Sequence, residues 1–208
     1  QQLDAAIVQL TEILDAYPNQ PDALKLKARL YLNTQQPELA TQTYQDYISV
    51  YPGDDEIKFL LARLYSDLNQ ANNAEPIVDE LLIKFENQPL LLQLKAAARL
   101  NQQDNVQALA FAEKALVFSP EDTPSRLIAG LSAYFLQDFE ASHGHLALVA
   151  GLLPANHPAL RVLADSQLRL GLSLEANDTI ARFDAVSERD ATLVAGIGQA
   201  LLREGEIN

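Results

Sequence analysis

The stretches "DAYPNQP" (Asp15–Pro21) and "SVYPGDD" (Ser49–Asp55) each contain a Tyr-Pro pair, and the two pairs lie 34 residues apart. Repeating this step from Pro18 reaches Pro52, Glu86, Pro120, Pro154 and Glu188, so four of the six positions are proline. A fixed step of this length, without insertions, indicates a helical repeat protein. The Tyr-Pro pair is therefore predicted to end a repeat, with the tyrosine packed where the chain turns.

A common numbering of the repeats identifies two further regular positions. Repeat position 1, the first residue after each loop, falls on Pro21, Asp55, Pro89, Thr123, His157 and Ala191. Position 8 then holds Ala28, Ala62, Ala96, Gly130, Ala164 and Gly198. Position 20 holds Ala6, Ala40, Ala74, Ala108, Ser142 and Ala176. Because small side chains let two helix backbones approach closely, both positions are predicted to lie at buried helix crossings.

Each repeat is predicted to contain two helices, because apolar residues recur at helical spacing in both halves. In residues 21–54, Leu24 and Tyr31 belong to the first helix, and Tyr44 belongs to the second. The prolines are predicted to lie at helix starts, at helix ends or in turns, with none in the middle of a helix. Pro76 is expected in a first helical turn, where backbone N–H groups lack helical partners.

The period, the small residues and the proline at repeat position 32 resemble the tetratricopeptide repeat (TPR) family. The resemblance implies an all-α fold, a right-handed superhelical solenoid of helix-turn-helix repeats with about twelve helices. It divides a single array over residues 1–208 into a lone second helix (1–20), five full repeats (21–54, 55–88, 89–122, 123–156 and 157–190) and a lone first helix (191–208). We expect this array to be part of a longer protein, since Ala6, Leu10 and Ile13 form a packing stripe that needs a neighbour.

Composition excludes several kinds of function. The chain has no cysteine, which excludes disulfides and thiolate chemistry. Its formal net charge of −13 argues against nucleic acid and against an anionic membrane surface. It contains no apolar run of the roughly 18 residues that a spanning helix needs, so direct membrane insertion is not expected.

No catalytic or metal-binding motif stands out. His143 and His145 point to nearly opposite sides of a helix, so they are not expected to share a metal ion. The acidic runs at residues 54–56 and 121–122 precede helices, where carboxylates favour the helix N-terminus. The sequence has no glycine-rich phosphate loop and no nucleophile elbow. We therefore predict a protein that is not an enzyme and takes no cofactor.

Charge is unevenly distributed between the two kinds of helix. Repeat positions 1–14 contain 11 of the 15 basic residues but only 6 of the 28 acidic ones. In TPR arrays the first helices line the concave groove, and the resemblance implies ligand contacts at Lys25, Arg29, Arg63, Gln93, Arg161 and Arg169. One hypothesis is a relatively basic groove that attracts acidic segments. The alternative is that long basic side chains cover apolar helix surface while acids solvate the opposite side.

The resemblance implies a non-catalytic scaffold that binds a protein or peptide. Residues 125–171 and 190–208 also resemble the TPR proteins of bacterial exosortase and exopolysaccharide systems, which implies a role in envelope assembly or export. That resemblance indicates the bacterial periplasm or envelope, with the cytoplasm left open. Two alternatives remain: a docking module of a larger enzyme or secretion machine, and an array that forms homo-oligomers through its open ends.

Overall fold

The 34-residue period sets the helix boundaries in the computed structural model, which describes residues 2–183 and 190–205. First helices begin at repeat position 1 or 2: α2 (Pro21–Asn33), α4 (Asp55–Asp67), α6 (Pro89–Asn101), α8 (Thr123–Phe135), α10 (Pro158–Arg169) and α12 (Ala191–Glu204). Second helices are α1 (Gln2–Ala16), α3 (Pro37–Val50), α5 (Ala71–Lys84), α7 (Asn105–Phe118), α9 (Phe139–Ala150) and α11 (Ser173–Ile180). These twelve helices, without a strand in the described ranges, confirm the predicted all-α repeat fold.

Two acidic residues before first helices, Asp54 and Asp122, act as N-caps. The Asp54 carboxylate accepts a hydrogen bond from the backbone N–H of Ile57 at 3.2 Å, and Asp122 accepts one from Ser125 at 2.8 Å. Such caps satisfy backbone donors that have no partner within the helix. The repeat loop thus starts the next helix as well as ending the previous one.

The turn between the two helices of a repeat has the same backbone conformation throughout. Repeat position 15 has a φ between 56° and 77° at Gln35, Asn69, Gln103, Gln137, Gly171 and Gly205. The backbone N–H of the next residue donates a hydrogen bond to the carbonyl five residues earlier. Examples are Gln36 N to Tyr31 O at 2.8 Å and Leu172 N to Gln167 O at 2.8 Å. This closure satisfies carbonyls at the helix end. It lets the second helix begin two residues later.

Ten of the twelve small residues predicted at buried helix crossings are buried, whereas Ala6 on α1 and Gly198 on α12 are only half-buried. At position 8, Ala28, Ala62, Ala96 and Ala164 are all fully buried, as is Ala40 at position 20. Gly130 shows why size matters, since a Cβ atom there would lie 2.5 Å from Leu146 Cγ. The crossing of α8 and α9 therefore requires glycine opposite this leucine.

The chain divides into two compact units, Gln1–Glu86 and Asn87–Asn208, each with its own core. The first unit holds α1–α5, and Tyr44, Leu61 and Tyr65 are in its largest buried cluster. The second unit holds α6–α12, with separate clusters around Ala112 and Leu146. Within each unit, the helix pairs in substantial contact are one or two places apart along the chain.

Two expectations about the loops and helix starts are wrong in part. Pro76 is the sixth residue of α5, beyond the first turn, so the helix continues through a proline that cannot donate to the carbonyl four residues earlier. Tyr17 does not pack at its turn but is 68% exposed. Tyr51 does pack, because its hydroxyl donates to Asn19 O at 2.7 Å and its ring lies 4.9 Å from that of Tyr47. Glu188 and the rest of 184–189 and 206–208 lie outside the described residues.

Candidate functional site

The second unit contains a cleft of about 860 Å³ between first helices. α10 contacts both α8 and α12, and side chains from all three helices line the opening. Its floor is apolar, formed by Pro158, Val162, Leu168 and Leu193, with Gly196 beside them. Polar lining comes from Tyr134, Arg161, Asp165, Asp190 and Thr192. An apolar floor with a few convergent polar groups is the usual composition of a ligand site.

Arg161 lies in this cleft but is held by an internal partner. Its Nε atom lies 2.6 Å from Asp190 Oδ1, and its terminal nitrogen Nη2 donates to Asp190 Oδ2 at 3.2 Å. The guanidinium also lies 4.7 Å from the ring centre of Phe183. Asp190 is 2% exposed, and its hydrogen bonds raise the pKa of Arg161 further above its high usual value. The positive charge is therefore balanced inside the protein.

Arg169 is paired in the same way by Asp165. The Oδ2 atom of Asp165 accepts from Arg169 Nε at 2.7 Å and from the Tyr134 hydroxyl at 2.7 Å. Arg169 lies 4.7 Å from the centre of the Phe139 ring. Burial, followed by the Asp165 hydrogen bond, raises the pKa of Tyr134, so this hydroxyl remains a donor at neutral pH. Among the described residues, Asp165 Oδ1 has no hydrogen-bond donor, so one acceptor of this cleft-lining residue remains unused.

The three predicted contacts of the first unit differ in their availability. Lys25 is already paired within the protein, because its Nζ atom lies 2.6 Å from Asp54 Oδ2 and 4.9 Å from the Tyr47 ring centre. Arg29 is exposed and has no hydrogen bond or ion pair with any described residue. Arg63 has only a 4.0 Å contact with Asp67, and both side chains are largely exposed. Arg29 and Arg63 therefore retain charge that a partner can reach.

Gln93 belongs to α6 of the second unit and is half-buried. It is not among the residues that line the cleft. Of the six predicted contacts, Arg161 lines the cleft, whereas Arg169 is linked to it through Asp165, which lines the cleft and accepts from Arg169 Nε. Whether any of the six contacts a partner stays a prediction.

Sequence reasoning missed the acidic partners of these bases. Lys25–Asp54 and Arg161–Asp190 both join repeat position 5 to position 34. The same base–acid spacing of 29 residues occurs twice in the sequence and could have indicated these ion pairs. Counting charges by helix type hid it, because the base lies in a first helix and the acid lies in the following loop. The helix-by-helix charge imbalance therefore overstates the free positive charge of the first helices.

The histidines face different neighbours, as their spacing predicts. His143 Nε2 lies 3.3 Å from a Glu175 oxygen on α11, whereas His145 Nε2 lies 3.8 Å from a Glu113 oxygen on α7. The described part of the chain holds no group of three side chains arranged to bind a metal ion. Across those residues, none of the helices combines the length and apolarity needed to cross a bilayer.

Comparison with known proteins agrees with the predicted repeat fold. A family profile described as "Tetratricopeptide repeat" matches residues 36–98. A tetratricopeptide repeat protein from Parabacteroides merdae is similar with a TM-score of 0.67 and 18% identity, over 98% of this chain and 81% of that one. MamA from Desulfovibrio magneticus is similar with a TM-score of 0.67 and 17% identity, over 78% and 92% of the two chains.

A third similar structure is YrrB, described as a TPR protein with an unusual peptide-binding site. Its TM-score is 0.62 at 12% identity, over 95% of this chain and 98% of that chain. No curated protein matches the sequence significantly. The family profile and these structures confirm the predicted resemblance to the tetratricopeptide repeat family.

Proposed function

We propose that this tetratricopeptide-repeat chain is a non-catalytic scaffold that binds a segment of a partner protein on the faces of its first helices. The observation that supports this most directly is the cleft between α8, α10 and α12, which is open, apolar at its floor and supplied with one unused carboxylate oxygen. Since helix pairs hold the lining side chains in place, a segment bound there would need little reorganisation of the protein.

The chemistry of the cleft favours an uncharged, amphipathic segment. Arg161 is balanced by Asp190 and Arg169 by Asp165, so the four side chains carry no net charge together. An apolar side chain of the partner would cover Val162 and Leu193, and a backbone or side-chain donor would reach Asp165 Oδ1. Such pairing avoids leaving a polar group buried without a partner.

Filling the cleft tests this function. Peptides selected from a random library for binding to the chain should lose at least about tenfold in affinity when Thr192→Trp places a large ring among the lining residues. The matched control is Gln199→Trp, another exposed position of α12 that does not line the cleft. Equal loss in both variants, or no loss in either, would contradict the assignment.

The first unit supports a separate preference for acidic segments. Arg29 and Arg63 both occupy repeat position 9, one repeat apart, and both side chains are exposed. An acidic peptide pool should bind more tightly than a basic one, with an affinity that falls as salt rises. Arg29→Gln with Arg63→Gln should remove that difference. Lys84→Gln with Lys114→Gln removes the same charge from second helices and should leave the preference intact.

The setting we propose is bacterial envelope assembly or export, on the resemblance of residues 125–171 and 190–208 to the TPR proteins of exosortase systems. PilW, described as a type IV pilus biogenesis factor, has a similar fold at 19% identity. A docking module of a larger enzyme is the alternative, and the complete gene with its neighbours would distinguish the two. The sequence-based prediction of self-association concerns the terminal helices and does not compete with partner binding.

A further inference from the structure

Among the described residues, the guanidinium of Arg161 leaves one surface for a ligand. Its edge is engaged inside the protein, because Nε and Nη2 bond to Asp190 at 2.6 and 3.2 Å and Nη1 donates to Asn156 O at 3.4 Å. One face lies against the Phe183 ring, whose centre is 4.7 Å from Cζ. The side chain is nevertheless 33% exposed, and it lines the cleft. Because a guanidinium is planar, we assign the exposed part to the face opposite Phe183.

Asp165 offers a second contact one helical turn away. It lies four residues after Arg161 on α10 and also lines the cleft, and residues at this spacing have Cβ atoms about 5–6 Å apart. Its Oδ2 atom accepts from Tyr134 and Arg169, each at 2.7 Å, whereas no described residue donates to Oδ1. One flat ligand group is therefore wide enough to cover the Arg161 face and to donate to Asp165 Oδ1.

The charges of the cleft favour a neutral donor over an ionic one. The two arginine–aspartate pairs described above are each neutral. A lysine or arginine of the partner would therefore add an unbalanced cation beside Arg161. A partner carboxylate would meet the unused oxygen of Asp165, and like charges repel. Burying either ion without a counter-charge costs more than burying a neutral N–H that finds an acceptor.

Tryptophan is the neutral side chain that meets these requirements together. Its indole N–H only donates, which suits a carboxylate oxygen that only accepts. Its ring is the best aromatic partner for a cation, ahead of tyrosine and phenylalanine. Its apolar body would cover Val162 and Leu168 on the floor of the cleft. Phenylalanine has a ring without a donor, and asparagine or glutamine has a donor without a ring.

We propose that the cleft is a tryptophan site, in which the indole ring of a partner's tryptophan stacks on Arg161 opposite Phe183 and its N–H donates to Asp165 Oδ1. The inference rests on the proposed function, because it names the anchor of the segment that the cleft takes. Asp190 already holds the Arg161 guanidinium by its edge, so the site is formed before the ligand arrives.

Tryptophan fluorescence tests the site directly, because the 208 residues contain no tryptophan of their own. The probe is N-acetyl-tryptophanamide, which presents the neutral side chain alone. As the chain is added, the emission should move to shorter wavelength, since the indole leaves water. Thr192→Phe fills the cleft and should abolish this shift, whereas Gln199→Phe, at an exposed position of α12 outside the cleft, should leave it unchanged.

Two results of this titration would overturn the proposal. One is no shift at wild-type concentrations up to about 1 mM, a range that covers the affinity expected of so small a ligand. The other is an equal effect of Thr192→Phe and Gln199→Phe, which would place the indole elsewhere.

An isosteric ligand tests the hydrogen bond. The amide of 3-benzothienylalanine has sulfur in place of the indole N–H, so it should displace the tryptophan probe about tenfold less effectively. Asp165→Asn should remove this difference, because its amide oxygen stays with Tyr134 and Arg169 and an N–H₂ group replaces Oδ1. Asp178→Asn, at an exposed acid of α11, is the matched control and should retain the difference.

The comparison of the two ligands stands without the variant. Circular dichroism and Tm verify that Asp165→Asn folds, and if it does not, the wild-type chain alone decides. Equal affinity of the wild type for the indole and benzothienyl amides would overturn the proposed hydrogen bond.

Peptides selected from a random library separate this inference from the proposed function. Those that Thr192→Trp weakens should contain a tryptophan, and its replacement by leucine should cost at least about tenfold in affinity. Cleft-dependent peptides without tryptophan would overturn the inference and leave the proposed function standing. A tryptophan amide that binds at the cleft while no peptide does would support the site and contradict the proposed function.

Discussion

The Nζ atom of Lys25 lies 2.6 Å from Asp54 Oδ2, which joins the first helix of one repeat to the loop that starts the next. Asp54 also accepts from the Tyr47 hydroxyl at 2.7 Å and caps α4 through the Ile57 N–H. One carboxylate therefore links α2, α3 and α4. Arg161 and Asp190 repeat the ion pair at the same two repeat positions of the second unit.

Asp54→Asn should lower the free energy of unfolding by about 1 kcal/mol, because it removes a partly screened ion pair while an asparagine can still cap the helix. Burial acts to raise the pKa of Asp54, but the hydrogen bonds from Lys25, Tyr47 and the Ile57 N–H outweigh it, so the pKa is lowered from 3.8. Urea denaturation measures the loss. Glu12→Gln, at an exposed acid of α1, is the control and should have little effect.

The same shift gives the pH dependence of this difference. Because the folded pKa lies below the unfolded one, the Asp54 contribution is present above the unfolded pKa and is lost as the pH falls through the folded pKa. The stability gap between wild type and Asp54→Asn should therefore narrow below about pH 4. A gap that stays constant down to pH 2 would contradict the role of this carboxylate.

The same substitution should have opposite effects at two glycines: Gly171, which has a left-handed backbone at repeat position 15, and Gly144, which lies inside α9. Gly171→Ala should cost about 1 kcal/mol, because its φ of 76° is unfavourable for a residue with a Cβ atom, although nothing lies within 4 Å. Gly144→Ala should instead stabilise α9 by up to about 1 kcal/mol, since alanine is the better helix former. Thermal and urea unfolding measure both. Destabilisation of similar size at both positions would contradict this explanation.

Gly130→Ala should destabilise the second unit by about 1–3 kcal/mol, because the new methyl group would lie 2.5 Å from Leu146 Cγ in a packed crossing. Shortening the opposing side chain should relieve the clash, so Gly130→Ala with Leu146→Ala should be more stable than the sum of the single effects predicts. A double-mutant cycle in urea measures this coupling. Strictly additive effects would show that the two residues do not oppose each other.

The lowered pKa of His145 predicts that the protein becomes less stable on mild acidification. Burial lowers its pKa from 6.5 and Arg126 acts in the same direction, while Glu113 at 3.8 Å opposes them without reversing the shift. Since the unfolded chain then binds more protons, the free energy of unfolding falls as the pH drops through this range. His145→Gln should make stability less dependent on pH between 7 and 5. NMR titration of the imidazole checks the direction, and a raised pKa would contradict it.

The period and the small residues were sufficient to predict the helices, because both report on packing that every repeat shares. The backbone conformation at repeat position 15 could not be predicted in the same way. Gln35, Gln103 and Gln137 are left-handed there, although glutamine has no preference for that conformation. The hydrogen bond that closes the turn imposes it. Pro76 shows the same limit, because tertiary packing carries α5 through a residue of poor helix propensity.

The sequence analysis predicted the location of the candidate site but not its charge. The resemblance indicates first helices, and the cleft in the second unit does lie between first helices. Its charge was misjudged, because counting charges by helix type leaves out the spacings that pair Arg169 with Asp165, four residues apart on α10, and Arg161 with Asp190, 29 residues apart. Formal charge counts by element do not include this internal pairing.

The local pattern of helix contacts has a consequence for how the protein folds. Because helices in substantial contact within each unit are one or two places apart in the chain, no long loop must close before native contacts form. Low contact order favours rapid folding, and in repeat proteins folding starts at any adjacent pair and spreads along the array. The left-handed residue at repeat position 15 reverses the direction of the chain, so the second helix of each repeat is placed directly against the first.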